Sequence, residues 1–458
     1  MSSIATLLTE LTAELALFAA AGFLIFAIDD LIVDLIYFIR FGWRALVVYT
    51  RFPRTYAGSL SRPARPGWMA VLIPAWDEGA VIGPMLRTTL ERFGASDYRL
   101  FVGHYRNDPA TAAAIDSVRD PRVVMVEIDV DGPTTKADCL NRLYAALVSY
   151  EAAIEREAKA IVLHDAEDVV HPMELKLFDR LTEYAGVVQL PVVPLIDLES
   201  RWVAGHYADE FAEAHMKELV VREAVGAAIP LAGVGCAIER VALSRLAARF
   251  DGHPFAGASL TEDYEMGLRL GAIGIKTMFV RLPVEPGSRG VVASRGHFPA
   301  TISAAVRQKA RWIGGIAFAG WDQLGWRGGI GERWMRMRDR RGPLAALLIL
   351  AGYLAALLWA QVSLASALGA PIEVPVSAAL AMLMSINAWL LGWRLLMRAG
   401  FTTAAYGWRE GLRSLPRTVV ANLIAVLAAR RALKLHSTGG ARRWDKTHHI
   451  FPMELPRT

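Results

Sequence analysis

Three carboxylates crowd into His164-Asp165-Ala166-Glu167-Asp168, directly after the apolar run Ala160-Ile161-Val162-Leu163. Such a run reads as a buried strand, and in an open α/β sheet ligands bind at the carboxyl ends of the strands. Asp165 and Glu167, on alternate positions, can offer oxygens to one hard divalent cation, and such a cation commonly accompanies a phosphate-bearing substrate. Asp168 is an alternative ligand, or the N-cap of a helix near His171-Pro172. The plain alternative for the whole cluster is an acidic turn.

The elements that must position this cluster are legible around it. Met69 to Ile73, Leu100 to His104, Val123 to Ile128 and Ala160 to His164 have the composition of strands, while Leu140, Leu143, Tyr144 and Leu147 fall on one face of an amphipathic helix. Short apolar runs alternating with helical ones between Arg54 and about Gly325 predict an α/β domain with a mostly parallel sheet. Polar residues recur where these strands end, in Pro74-Ala75-Trp76-Asp77-Glu78 and in Arg106-Asn107-Asp108-Pro109, the latter also a turn signal. Further on come Gly233-Val234-Gly235-Cys236, whose small residues suit a close approach or a tight turn, and Thr261-Glu262-Asp263-Tyr264-Glu265, which also suits the acidic first turn of a helix. Gln308-Lys309-Ala310-Arg311-Trp312 lies in a helical pattern from about Ala300 to Ala319. No GxGxxG or GxxxxGK[ST] follows a strand, which disfavours dinucleotide and P-loop enzymes.

Length and composition add a membrane. The 458 residues suggest roughly two or three structural units at ~150 residues each. Hydrophobic residues make up 54%, yet 50 Lys+Arg against 45 Asp+Glu leave a net charge of only +5, so nucleic acid is not an expected partner. Cys139 and Cys236 are the only cysteines and carry no metal-ligand spacing, which argues against a disulfide framework or a zinc site. Leu344 to Ala370 and Val374 to Trp393 carry no charged residue, and each is long enough to cross ~30 Å of hydrocarbon. A first span over about 14–38 carries Asp29, Asp30 and Asp34, and the absence of a basic leading region speaks against a cleavable signal peptide. Those aspartates either pair with arginines, line a lipid-carrier groove or lie near the interface. Arg40, Arg44, Arg51 and Arg54 after the first span, and Arg333 to Arg341 before the second, predict that both flanks are cytoplasmic. The segment around 416–435 is basic at both ends, and reads as an interfacial or re-entrant helix before a cytoplasmic tail.

The order of motifs resembles that of a membrane-bound family 2 glycosyltransferase with the A-type nucleotide-sugar fold. Pro74 to Glu78 is similar to the opening Pro-x-x-x-Glu turn, Asp165-Ala166-Glu167 to Asp-x-Asp, Thr261-Glu262-Asp263 to Thr-Glu-Asp, and Gln308-x-x-Arg311-Trp312 to Gln-x-x-Arg-Trp. Lys136 with Asn141 resembles a Lys-Ala-x-x-x-Asn element. Ile28-Asp29-Asp30-Leu31, the His164 to Pro172 run and the ending Trp444-Asp445-Lys446-Thr447-x-His449-x-Phe451-Pro452 resemble an inner-membrane subgroup. Longer members of that subgroup carry a further C-terminal regulatory domain, so its control is not carried over.

The resemblance implies an inverting, metal-dependent transferase in the bacterial inner membrane that takes a UDP-sugar, with an N-acetylhexosamine as the family's suggestion. In that reading Mg²⁺ or Mn²⁺ on Asp165 and Glu167 neutralises the departing diphosphate. Asp263 accepts the acceptor's proton, and Glu262 orients or packs beside it. Arg311 offers a planar fork to the phosphates and Trp312 stacks on the acceptor sugar, with Gln308 in the same motif. Glu78, Asp108, Lys136 and Asp165 are the expected donor contacts, Asp108 at base or ribose and Lys136 at uridine or phosphate. No role is assigned to His171, His297, His448 or His449. The acceptor is a growing envelope or extracellular glycan or a polyprenyl-linked one, and three spans suggest an export partner or a homo-oligomer. The expected divisions are 1–55 (anchor), 56–298 (catalytic domain), 299–342 (interfacial helices) and 343–458 (membrane region with spans near 344–369 and 375–396). A catalytically silent membrane scaffold or receptor on the same fold is the rival reading.

Overall fold

A computed structural model describes residues 3–257, 259–288, 290–438 and 449–452. A long N-terminal helix, α1 (Ser3–Trp43), continues through a π turn to Val48. It outruns the expected 14–38 at both ends, and near its start Thr9 and Thr12 satisfy their hydroxyls on the carbonyls of Thr6 and Leu8.

The domain that follows runs β1 (Met69–Pro74), α2 (Ile82–Phe93), β2 (Tyr98–Tyr105), α3 (Pro109–Asp116), β3 (Val123–Ile128), α4 (Lys136–Ile154), β4 (Ala160–Leu163), α5 (Glu174–Leu181), β5 (Val187–Gln189), β6 (Val192–Pro194), α6 (Val203–Glu213), α7 (Leu219–Ala224), β7 (Cys236–Glu239), α8 (Arg240–Ala247), α9 (Glu262–Ala272), β8 (Thr277–Phe279) and β9 (Ser294–Gly296). Seven of these strands form one sheet in the order β3-β2-β1-β4-β7-β5-β8, while β6 pairs with β9. The sheet is parallel except at β7, which runs against both β4 and β5. Both faces of β1 are buried, with Met69, Val71 and Ile73 packing into one layer and Ala70 and Leu72 into the other, so the strand reads as an unbroken apolar run. The register Leu72 to Leu163 brings the ends of β1 and β4 side by side. That alignment delivers the Glu78 turn and the Asp165 cluster to one place.

After the sheet, α10 (Ile302–Ile313) passes through a π turn into α11 (Gly320–Leu324), followed by α12 (Ile330–Arg340), α13 (Gly342–Ala367), α14 (Ala378–Tyr406) and α15 (Trp408–Ser437). Among the described residues, three helices are long and apolar enough to cross a membrane: Ile4–Val48, Gly342–Ala367 and Ala378–Tyr406. α14 begins where Ser377 accepts the Leu380 N–H, later than expected, and continues past the expected end to Gly407, whose φ of 91° stops it. α15 begins well before the expected position 416 and holds its helix through Pro416. Its buried face there is ionic: Arg417 meets Asp209 at 2.9 Å and Glu410 at 3.0 Å. The apolar pattern of residues 418–429 therefore marks only part of the helix.

The three aspartates of α1 clamp the anchor to the domain. Asp29 and Asp30 pair with Arg338 and Arg341, Trp334 donates to Asp29 at 2.6 Å, and Asp34 is bound by Lys217 and by the Trp393 indole at 2.8 Å. Of the open sequence readings, pairing with cations is the one these contacts support.

Candidate functional site

A cleft of about 400 Å³ opens at the carboxyl ends of β1 and β4. Glu78, Lys136, Asp165, Glu167, Glu262, Asp263, Gln308, Arg311 and Trp312 all line it. Asp108 does not. Its carboxylate caps α3 by accepting the Thr111 N–H at 3.2 Å and holds the preceding turn by accepting the Asp77 N–H at 2.6 Å. That cap shapes the Glu78 turn, and the expected base or ribose contact stands as a proposal.

The acidic cluster is held from beneath by a fully buried histidine. His164 places Nδ1 at 2.9 Å from Asp168 and Nε2 at 2.6 Å from Glu174. Burial alone pushes this imidazole down, but Glu174 and Asp168 outweigh it and lift its pKa to about 10. Asp168 also accepts the Asp165 N–H at 3.0 Å, so it supports the turn.

Asp165 and Glu167 face different neighbours. Lys136, at the start of α4, sits 2.5 Å from Asp165 and 3.7 Å from Glu262. Burial opposes its charge, yet Asp165, Glu262 and Asp263 raise its pKa, so the ammonium is firmly held. Glu167 instead lies 3.3 Å from Nε2 of His449, whose Nδ1 is 2.7 Å from Glu78. Donor atoms of Glu78, Glu167 and His449 lie within 4.8 Å of one another, close enough for one cation. Burial lifts Glu167 to about 8; His449 opposes this, while Asp165 and Glu78 add to it. Removing that repulsion is what a divalent cation does, and two carboxylates with an imidazole suit Mn²⁺ and, less closely, Mg²⁺.

His449 was assigned no role from the sequence, although it falls in the Trp444 to Pro452 ending, because that ending lies far along the chain from the acids it meets. Its segment is fixed here by Phe451, which packs on the sheet core, and by buried Pro452. The neighbouring Trp444 to His448 lie outside the described residues. Of the other histidines, His171 is buried and accepts the Met173 N–H at 3.1 Å, while His297 lines the cleft.

Opposite the cluster, Asp263 stands in the first turn of α9. Burial, then repulsion from Glu262, raise its pKa to about 7 against the pull of Lys136. Gly233 makes room for it: its φ is +76°, and a Cβ there would meet Asp263 Oδ2 at 2.6 Å. Both the backbone and the space require glycine. Gly233→Ala is expected to cost about 1–2 kcal/mol of stability from the left-handed backbone alone. Turnover should fall further than that stability loss explains, because Asp263 must shift, and thermal denaturation alongside turnover separates the two effects.

The third wall is α10. Lys309 locks it to Glu210 of α6 at 2.6 and 2.7 Å, turning Gln308, Arg311 and Trp312 toward the cleft. Trp312 stands edge-on to Tyr207 at 6.0 Å, which fixes its ring. The side-chain amide oxygen of Gln308, Oε1, has no hydrogen-bond partner among the described residues.

Residues 66–315 match the family described as glycosyltransferase like family 2. The chain is 36% identical, over 96% of its length, to bacteriophage adsorption protein B of Escherichia coli strain K12 and to bacteriophage N4 adsorption protein B of E. coli O157:H7. It spans 62% of the length of each of these relatives. Among solved structures, the mannosyltransferase PcManGT from Pyrobaculum calidifontis, in complex with GDP-Man and Mn²⁺, aligns over 94% of this chain and 100% of its own. Its TM-score is 0.55 at 16% identity, a likeness of fold.

Proposed function

The chain belongs to glycosyltransferase family 2, and from that premise we propose that it transfers a sugar, an N-acetylhexosamine, with inversion from a UDP-sugar to an envelope or extracellular glycan or a lipid-linked one. The observation that carries the reading is the convergence on one cleft of the acidic cluster, Asp263 and the Arg311-Trp312 pair, residues far apart in the chain.

In this reaction the acceptor hydroxyl oxygen forms a bond to the anomeric carbon while the bond to the diphosphate oxygen breaks. Asp263 takes the hydroxyl proton, and the leaving diphosphate carries away the electron pair. A bound Mg²⁺ or Mn²⁺ supplies charge neutralisation for that leaving group. Glu167, with His449 and Glu78, would hold it. Asp165 would be a further ligand, and Lys136, now paired with it, is the cation nearest to where the donor phosphates would lie. Arg311 adds a planar fork to the same phosphates. Trp312 offers a flat apolar face to the acceptor sugar, and the bare amide oxygen of Gln308 accepts one of its hydroxyls.

We place the reaction at the cytoplasmic face of a bacterial inner membrane, because arginines flank the first span and precede the second. The expected divisions 1–55, 56–298, 299–342 and 343–458 stand as proposals for anchor, catalytic domain, interfacial helices and membrane region, with a homo-oligomer or an export partner completing the route of the product.

A thermal-shift titration tests the cation site without any turnover. Mn²⁺ at about a hundred times its dissociation constant stabilises by about 2.7 kcal/mol, a rise of a few degrees. That rise is expected in the wild type and should vanish in Glu167→Gln; equal shifts in both proteins would remove Glu167 from the site.

A further inference from the structure

A second cavity, about 600 Å³, lies among α1, α11, α12, α13 and α15 and shares no lining residue with the catalytic cleft. Its outer wall is built from Ile25 and Leu344, which are 66% and 50% exposed on helices long enough to cross a membrane. Its inner wall holds Arg340, only 7% exposed.

Arg340 differs from its neighbours on α12. Arg336 pairs with Glu332 at 2.7 Å, and Arg338 and Arg341 share Asp29 and Asp30. The adjacent Asp339 is taken by Arg222 and by the Tyr264 hydroxyl. Arg340 donates from Nη2 to the Gly320 carbonyl at 2.8 Å, while Nε and Nη1 have no hydrogen-bond partner among the described residues. Its guanidinium instead lies 5.4 Å from the Trp321 ring and 4.6 Å from the Trp326 ring. Two aromatic faces hold the fork in place while leaving two N–H groups unanswered. A buried cation without an anion is costly, and an arginine fork is matched by phosphate oxygens. The cavity's remaining carboxylates do not supply that anion, since Asp29 is shared by two arginines and Asp322 is exposed.

We propose that this cavity binds a lipid carrying an anionic phosphate head, with the phosphate drawn to the Arg340 guanidinium and one hydrocarbon chain along Ile25 and Leu344. The pair of indoles fits the depth at which head groups meet acyl chains. The site stands apart from the transfer reaction, so its test reads binding alone.

The full chain, purified in detergent, is mixed with a polyprenyl monophosphate, phosphatidylglycerol or phosphatidylcholine, and retained lipid is counted by native mass spectrometry. One molecule of an anionic lipid per chain is expected, held at least about tenfold more tightly than phosphatidylcholine. Whichever of the two anionic lipids is held more tightly identifies the source. Arg340→Gln should lose that preference and Arg340→Lys keep part of it. Leu344→Trp, on an exposed position, should block the chain while leaving Arg340 intact. Equal retention of all three lipids, or retention unchanged in both Arg340→Gln and Leu344→Trp, would overturn the proposal.

Discussion

Asp263→Asn is expected to lower turnover by about 10³-fold, within the range for loss of a positioned general base, with little change in donor KM. Asparagine keeps the shape of the side chain and can still accept the Tyr264 N–H, now made at 2.7 Å, but it cannot take a proton. The pH dependence has a definite sign. With its pKa raised to about 7, Asp263 is protonated and idle below that value, so kcat should fall as pH drops through about 7, and the bound cation should move the midpoint lower. The same shift has an opposite consequence for stability. An unfolded aspartate ionises near 3.8, so the folded protein carries a cost that grows from about pH 4 to about pH 7 and is complete above it. Asp263→Asn removes that cost. At pH 8 the variant should therefore melt a few degrees higher than wild type while being nearly inactive. A variant that is both inactive and less stable at pH 8 would point to a structural role for Asp263.

Asp165→Ala should lower kcat/KM by at least about a hundredfold, a loss that excess Mn²⁺ does not restore. The effect is twofold. One oxygen ligand disappears, and Lys136, 2.5 Å from Asp165, loses its nearest partner and turns to Glu262, now 3.7 Å away. Since Glu262 adjoins the base, the variant should also shift the pH profile. Glu78→Gln and His449→Ala, which touch the cation side only, should instead raise the metal concentration needed for activity and leave the profile in place. Recovery of Asp165→Ala at high Mn²⁺ would assign Asp165 to simple metal retention.

What could be read from the chain was local. β1 and β4 were legible because strands buried on both faces are continuous apolar runs, and the carboxylates after β4 follow at once in sequence. Asn107-Asp108-Pro109 was legible as a turn, and the structure adds that Asp108 caps the helix beginning at Pro109. The short strands β5, β7 and β8 gave little pattern, since three or four residues do not show a period. The ion pairs escaped for another reason. His449 meets Glu78 across 371 residues, and Arg338 meets Asp29 across 309, distances over which spacing carries no information. Similarly, Arg417 makes α15 a helix with a buried charged face, so hydropathy understated its length. The motif order placed the right segments around the cleft, but which acid faces Lys136 and which faces a histidine emerges only from the fold.

The central claim, cation-dependent sugar transfer in the cleft at β1 and β4, is tested most directly by nucleotide release. Purified wild type and Asp263→Asn are given a panel of UDP-sugars and a membrane extract as acceptor, with Mn²⁺ or Mg²⁺ and again with chelator. At least one donor should yield UDP with wild type and metal, and none should do so with chelator or with Asp263→Asn. Equal inertness of the two proteins toward every donor, or release that ignores both metal and the substitution, would contradict the account.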